Sequence, residues 1–229
     1  MCGRYTQTIP LKDLRLRFKL SATDLPDLKP RYNIAPSQEA PVVLEDAGRA
    51  LKHFRWGLIP SWAKDPKIAY KMINARSETV AEKPSYKRPF TQNRCLVVAD
   101  SFYEWRKDPS GKTPMRIVLE SKEPFAMAGL WDTWKDPKGQ ALNTFTIITT
   151  PANDVMRPIH DRMPAILRQE DEALWLDPRA TSEQLMALLV PSQQALEPYA
   201  VSSLVNAPGN DLPGCIEAAP AAAELPGLL

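Results

Sequence analysis

Two histidines and three cysteines are few for a chain of 229 residues, and that scarcity excludes several kinds of protein. There is no C-x-x-C pair, so a structural zinc site is not expected. Cys2, Cys95 and Cys215 are odd in number and widely spaced, which suits a reducing cytosol better than a disulfide framework. No apolar run is long enough to span a bilayer. The first residues lack a basic region followed by an apolar stretch, so no secretory signal is expected. No internal repeat occurs, and nothing in the residues demands a metal or organic cofactor.

What remains is the composition of an ordinary globular protein, with 44% hydrophobic and 24% charged residues. The length suits one sizeable domain or two small ones. Proline, at 23 residues, is about twice its usual share and is spread along the chain. That argues for many short elements joined by turns. Leu11, Leu14 and Phe18 share one helical face and predict a helix over 10–19. Thr181 and Gln184 form a capping box ahead of Leu185, Leu188 and Leu189, which predicts a helix over 182–190. A shorter helix is expected at 169–176. Strand-like runs fall at 41–45, 50–56, 95–100, 115–120, 124–131, 144–149 and 164–168. Strands without regular intervening helices predict an α+β fold with a mixed or antiparallel, curled sheet. The stretch 207–229 is rich in Ala, Pro and Gly and reads as a tail, with Cys215 an exposed, idle thiol.

Charge is unevenly distributed. Residues 61–94 carry eight Lys/Arg against three acids, while 171–229 carry one Arg against eight acids. Trp62, Tyr70, Tyr86 and Phe90 run through the basic stretch. Basic residues mixed with aromatics suit a phosphate backbone with stackable bases; a solvated basic face is the alternative.

Polar residues fit for chemistry sit beside Pro, Gly or Trp in five segments, which are expected to be loops. These are Arg31-Tyr32-Asn33-Ile34-Ala35-Pro36, Trp56-Gly57-Leu58-Ile59-Pro60-Ser61-Trp62, Asn74-Ala75-Arg76-Ser77-Glu78-Thr79, Ala99-Asp100-Ser101-Phe102-Tyr103-Glu104-Trp105 and His160-Asp161-Arg162-Met163-Pro164. Glu104, flanked by Tyr103 and Trp105, is either a partly desolvated acid/base or a strand-end carboxylate facing water. His160 is either a proton shuttle or a structural imidazole. The other histidine, His53, lies in a strand-like run and reads as structural. Asn74 is either an amide donor to a carbonyl, hydroxyl or amine, or a turn former. Arg4 and Arg76 are natural phosphate ligands or solubilising surface charges.

Cys2 follows Met1 directly. If Met1 is removed, the chain begins with a free 1,2-aminothiol, which condenses with an aldehyde to an imine and then closes a thiazolidine ring. An α-amine with pKa ≈ 7.7–8.0 is on the order of one-tenth neutral at pH 7, whereas a lysine with pKa ≈ 10.4 is almost wholly protonated. The plainer reading is a small buried apolar cysteine.

Taken together, the five segments and Met1-Cys2-Gly3-Arg4 resemble the SOS-response-associated peptidase (SRAP) family. The likeness extends to Ser202-Ser203-Leu204-Val205-Asn206, so residues 1–206 form the expected domain and 207–229 its tail. The resemblance implies a single α+β domain with a barrel-like sheet flanked by short helices and a basic cleft. It implies binding of single-stranded DNA and single-strand/double-strand junctions, and covalent capture of abasic sites. In that scheme the Cys2 amine attacks the ring-opened sugar aldehyde and its thiol closes the thiazolidine. Asn74 orients amine and sugar, Glu104 moves protons, and His160 assists acid/base steps and slows reversal. Arg4, Arg76 and Arg162 contact phosphates, while Pro36 and Trp62 pack the distorted strand. The residues at 63–72 and 81–94 give no individual lysine contact, and Met163 has no assigned role. A monomeric protein of the cytoplasm, nucleoid-associated if bacterial, is expected.

Two other readings stay open. One is an N-terminal-nucleophile hydrolase or autoprotease, with the Cys2 thiolate attacking an amide and the α-amine as base. The other is a non-catalytic single-strand-binding module using the 61–94 segment.

Overall fold

The computed structural model of the protein describes residues 2–21, 28–109 and 111–220. In chain order the elements are β1 (Arg4–Gln7), α1 (Leu11–Phe18), β2 (Arg31–Ile34), β3 (Glu39–Glu45), β4 (Arg49–Trp56), β5 (Asn74–Arg76), α2 (Pro84–Gln92) and β6 (Arg94–Ala99). They continue with β7 (Ser101–Asp108), β8 (Gly111–Leu119), β9 (Phe125–Lys135), β10 (Ala141–Pro151), β11 (Arg162–Pro164) and β12 (Ile166–Leu167). The last are α3 (Glu172–Leu176), α4 (Ser182–Ala187) and β13 (Leu196–Ala200), with short 3-10 turns between elements.

Five strands close on themselves in the order β10-β4-β3-β6-β9, because β9 also pairs with β10. All of these pairs are antiparallel except β4–β10, so the barrel is mixed. Side chains alternate through its wall. Val42, Phe54, Trp56, Val97, Met127, Phe145 and Ile147 belong to one buried cluster. Their neighbours Val43, Leu51, Leu96, Ala128 and Ile148 belong to a second, shared with Leu14 and Phe18 of α1, Phe90 of α2, Trp175 of α3 and Leu185 of α4. Both faces of the wall are therefore dry, which is why β6 is buried at every position. At Gly129 of β9 a Cβ would lie 2.7 Å from Cys95 Sγ and 2.7 Å from a Val97 methyl, so only glycine fits between the strands.

Arg94 holds two helices onto this barrel. Its buried guanidinium donates to Phe90 O of α2 at 2.8 Å, and to Trp175 O at 2.6 Å and Asp177 O at 2.7 Å at the end of α3. Carbonyls left over at helix C-termini are thereby satisfied by a cation, which the helix dipole also favours.

The chain leaves the barrel at Asp100, between β6 and β7, and enters a second, antiparallel sheet of order β13-β8-β7-β1-β2. Asp100 is buried at this bend and accepts hydrogen bonds from Thr6 Oγ1 at 2.8 Å, Thr8 N at 3.0 Å and Thr8 Oγ1 at 2.6 Å. The first strand of the chain is thus tied to the point where the two sheets meet.

The expected α+β, single-domain, barrel-like architecture is present. The capping box of α4 forms as read, with Gln184 N donating to Thr181 Oγ1 and Thr181 N to Gln184 Oε1. Two expectations are corrected. Four of the five chemistry-bearing segments are not simply loops: they supply β2, β5, β7 and β11. Their strand nature was masked because β2, β5 and β11 are only three or four residues long, too short to show an apolar periodicity of their own. Cys215 is fully buried rather than exposed, packed with Tyr103, Val201 and Val205. Residues 221–229 of the expected tail lie outside the described residues.

Candidate active site around the second residue

β1 starts two residues after Cys2 and runs antiparallel to β7, with Arg4 opposite Tyr103 and Tyr5 opposite Phe102. The ladder ends at Arg4 and Tyr103, the residues next to Gly3 and Glu104, and the Glu104 carboxylate is near enough to Cys2 to act on its thiol. Strand pairing thus delivers the start of the chain to the carboxylate. Cys2 has no exposed surface, and Glu104 is 4% exposed. Burial pushes the Cys2 thiol far up, and the nearby Glu104 carboxylate adds to the shift. Burial likewise pushes Glu104 up to about 7, with Asp161 adding to the effect and the Trp105 backbone N–H opposing it. Glu104 therefore does not face water, and at neutral pH both its protonation states are populated.

His160 follows a turn in which its own N–H bonds to Met156 O at 2.8 Å. Its Nδ1 accepts the Arg162 backbone N–H at 2.9 Å and lies 2.8 Å from Asp161 Oδ1. Those neighbours make opposite demands, since the amide needs a lone pair and the carboxylate favours a proton. Burial lowers the pKa of the ring, against the pull of Asp161. The neutral ring then keeps its lone pair at Nδ1 for the amide, which places the proton on Nε2.

Asn74 opens β5, which runs parallel to β10 with Asn74 opposite Ile147. Its carbonyl accepts Tyr86 OH from α2 at 3.1 Å, and the Trp56 indole holds the preceding carbonyl of Ile73 at 2.9 Å. Its Nδ2 donates to Ile73 O at 3.0 Å, while its buried Oδ1 has no partner among the described residues. Ile73 and Ile159, the residues before Asn74 and His160, pack into the same apolar cluster as Cys2. The three segments therefore border the same apolar interior.

The expected phosphate ligands differ in how free they are. Arg76 is exposed, and its side chain makes no hydrogen bond or ion pair among the described residues. Arg162 donates to both Glu78 carboxylate oxygens, and its Nη2 reaches Thr149 O at 2.5 Å. It joins the Asn74 and His160 segments across β10, where Thr149 pairs with Arg76 on one side and Pro164 on the other. Arg4 donates to Asn33 Oδ1 at 2.8 Å and Val205 O at 2.7 Å, and its guanidinium lies 5.6 Å from the Trp105 ring. Both side chains already have protein acceptors. Pro36 is half-buried, in a turn where Ser37 has φ 73° and its N–H bonds to Trp56 O.

Trp62 and Tyr70 are 60% and 66% exposed, large aromatics standing in water. Trp62 lines a depression of about 310 Å³ with Lys64, Lys67 and Lys71. The loop beneath is pinned to the barrel by Ser61 N on Asp132 Oδ2 and Ile59 N on Thr144 Oγ1. At Gly57 φ is +116° and a Cβ would sit 2.9 Å from Ala69 O, so the turn that starts this loop needs glycine.

A family model described as SOS response associated peptidase (SRAP) matches residues 1–208. The chain belongs to the SRAP family. The abasic site processing protein YoqW of Bacillus subtilis is 49% identical over 223 residues, covering 95% of this chain and 99% of that one. The abasic site processing protein HMCES of Xenopus tropicalis is 35% identical over 264 residues, covering 95% of this chain and 78% of that one. An X-ray structure of a protein from Bacteroides thetaiotaomicron superposes with a TM-score of 0.87 at 29% identity, covering 95% of this chain and all of that one. Among the described residues, no helix is long and apolar enough to cross a membrane.

Within this family framework the structure adds residues that the motifs alone did not single out. Tyr86 anchors Asn74, and its own position, four before Phe90 on the buried face of α2, was the available signal. Asp161 faces His160 and adds to the Glu104 shift. Thr149 and Glu78 orient Arg162. His53 is exposed on β4 and takes part in none of these contacts.

Proposed function

We propose that the protein processes abasic sites in DNA by binding single-stranded DNA and single-strand/double-strand junctions, and linking the lesion covalently to Cys2. The observation that carries this reading is the burial of Cys2 beside Glu104, whose carboxyl is pushed up to about 7. Removal of Met1 frees the α-amine. The amine adds to the aldehyde of the ring-opened sugar, and water leaves to give an imine. The sulfur then adds to the imine carbon while its proton passes to the imine nitrogen, closing the thiazolidine. A thiol held protonated by burial needs a neighbouring base for that last step, and Glu104 near neutrality suits it. His160, with its Nε2 proton, serves as donor to the sugar oxygen in ring opening, and Asn74 Oδ1 is a fitting acceptor for the amine. Arg76 and the lysines around Trp62 supply charge for the backbone, and Trp62 a stacking face. Arg4, Arg162 and Pro36 shape the floor beneath the strand.

Relatives that span nearly the whole chain carry the description abasic site processing protein, which supports this reading over the other two. A hydrolase would need a ready thiolate at neutral pH, and burial of Cys2 opposes that. The test is incubation of the purified protein with a single strand bearing one abasic site, without reductant. The expected result is an adduct stable on a denaturing gel, with an intact mass lacking Met1. No adduct would refute the covalent reading. An adduct seen only after borohydride trapping would indicate an imine lyase, and Cys2-dependent peptide cleavage would indicate the hydrolase.

A further inference from the structure

The segment from Ser203 to Ile216 crosses the outer edge of the second sheet, where Val205 and Cys215 pack against Tyr103 and a set of polar contacts fixes its position. Asp211 is its main anchor. Its Oδ1 accepts the backbone N–H groups of Tyr32 at 2.5 Å and Asn33 at 3.0 Å, and its Oδ2 accepts Arg31 Nε. Arg31 in turn donates to Gln38 Oε1 at 2.7 Å, which also accepts Ala35 N at 3.1 Å. Those two contacts span the turn that carries Pro36. A second chain of contacts leads to the start of the protein. Asn33 Nδ2 points to the carbonyls of Val205, Ala207 and Asn210, while Asn33 Oδ1 receives Arg4 Nη1. Arg4 also donates to Val205 O, and the Trp105 indole to Asn206 Oδ1 at 2.7 Å. Arg4, Trp105, Lys112 and Asn206 together line an open depression of about 420 Å³. The family match ends at residue 208, so Asp211 lies beyond it.

We infer that Asp211 is a positioning residue for DNA capture: it locks the Ser203–Ile216 segment onto β2, and through it sets Arg4 and the Pro36 turn. This rests on the DNA-binding reading above. The physical reason is that a carboxylate meeting two backbone N–H groups and a guanidinium makes charge-assisted hydrogen bonds with fixed directions. Without it, Arg4 and the turn keep their sequence but lose their register, so the contacts they offer to a bound strand weaken while the reacting groups stay in place. Asp211 touches neither Cys2 nor Glu104 among its hydrogen-bond partners, so the bond-forming step itself is left intact.

The experiment measures the initial rate of crosslinking to an abasic single strand across DNA concentrations, for the full chain and for Asp211→Ala. The expected result is a rise of about tenfold in the half-saturating DNA concentration with the saturated rate unchanged within about twofold. Asp211→Asn keeps an acceptor for the two backbone N–H groups but loses the ion pair with Arg31, so it should fall in between. It also decides the matter if the alanine variant does not fold. An unchanged half-saturating concentration in a folded variant would overturn the inference. So would a fall in the saturated rate alone, which would place Asp211 in the chemistry. If the wild type forms no adduct, the covalent reading fails separately, and anisotropy on an undamaged single strand reads the same Asp211 comparison as affinity. A weaker affinity for the alanine variant there supports the inference, and equal affinity overturns it.

Discussion

Replacing Glu104 by glutamine should move stability and activity in opposite directions. Glu104 is buried, and its carboxyl stands at about 7 rather than the 4.5 of an exposed glutamate. The folded state therefore holds the proton more tightly than the unfolded state does. The stability associated with that proton is fully present below pH ~4.5 and is lost as pH rises through 7. The difference between 4.5 and about 7 corresponds to about 3 kcal/mol of penalty for the ionised form above pH 7. Glutamine has the same shape and carries no charge, so it escapes the penalty. At pH 8 the variant should melt higher than the wild type by about 6 °C or more, and the two should converge near pH 5. Over the same pH range adduct formation should fall by about 100-fold or more, the usual worth of a positioned acid/base, and the wild-type inflection near pH 7 should disappear. Thermal melts at pH 5 and pH 8, together with single-turnover crosslinking from pH 5.5 to 8.5, check both halves. Parallel melting curves at both pH values would show that Glu104 is not held uphill by burial. An unchanged crosslinking rate would remove it from proton transfer.

The remaining expectations concern separate parts of the molecule. Cys2→Ala should abolish the stable adduct while changing affinity for an undamaged single strand by no more than about twofold; fluorescence anisotropy with a gel readout tests this, and adduct retention would contradict the role given to Cys2. Arg76→Ala should weaken binding at all sequences alike and lower the slope of log affinity against log salt by about 1, because its exposed guanidinium is free to displace a counterion. Arg94→Leu should cost about 3 kcal/mol or more, since it leaves three buried carbonyls at the ends of α2 and α3 without donors. Urea denaturation measures that cost, and a loss below about 1 kcal/mol would mean those carbonyls find other donors.

The readable parts of the fold were those whose signal is local. The α4 capping box involves side chain and backbone three residues apart, and it formed as its spacing indicated. The barrel strands announced themselves because both faces are buried, so β6 is a nearly continuous apolar run and β10 mixes apolar residues with β-branched threonines. β1, β2, β5 and β7 did not, because their residues answer to partners far along the chain. Arg4 is shaped by Asn33 and Val205, and Asn74 by Tyr86 and Ile147. Cys215 was misplaced for the same reason: an Ala/Pro/Gly-rich surrounding looks unstructured until Tyr103 and Val205 are seen to cover it.

The order of residues is enough to say which chemistry is available: a cysteine in second place, one carboxylate among aromatics, and few histidines to choose from. Residue type and position along the chain carry that information without reference to shape. The state of those groups depends on how the chain folds around them. Burial, which no single residue specifies, raised Glu104 towards neutrality, held the Cys2 thiol protonated and lowered the pKa of His160. It also sorted the arginines. Arg76 was left free at the surface, while Arg4 and Arg162 were drawn into carbonyl and carboxylate partners. Those partners lie on other strands, and pairing alone brings them within reach.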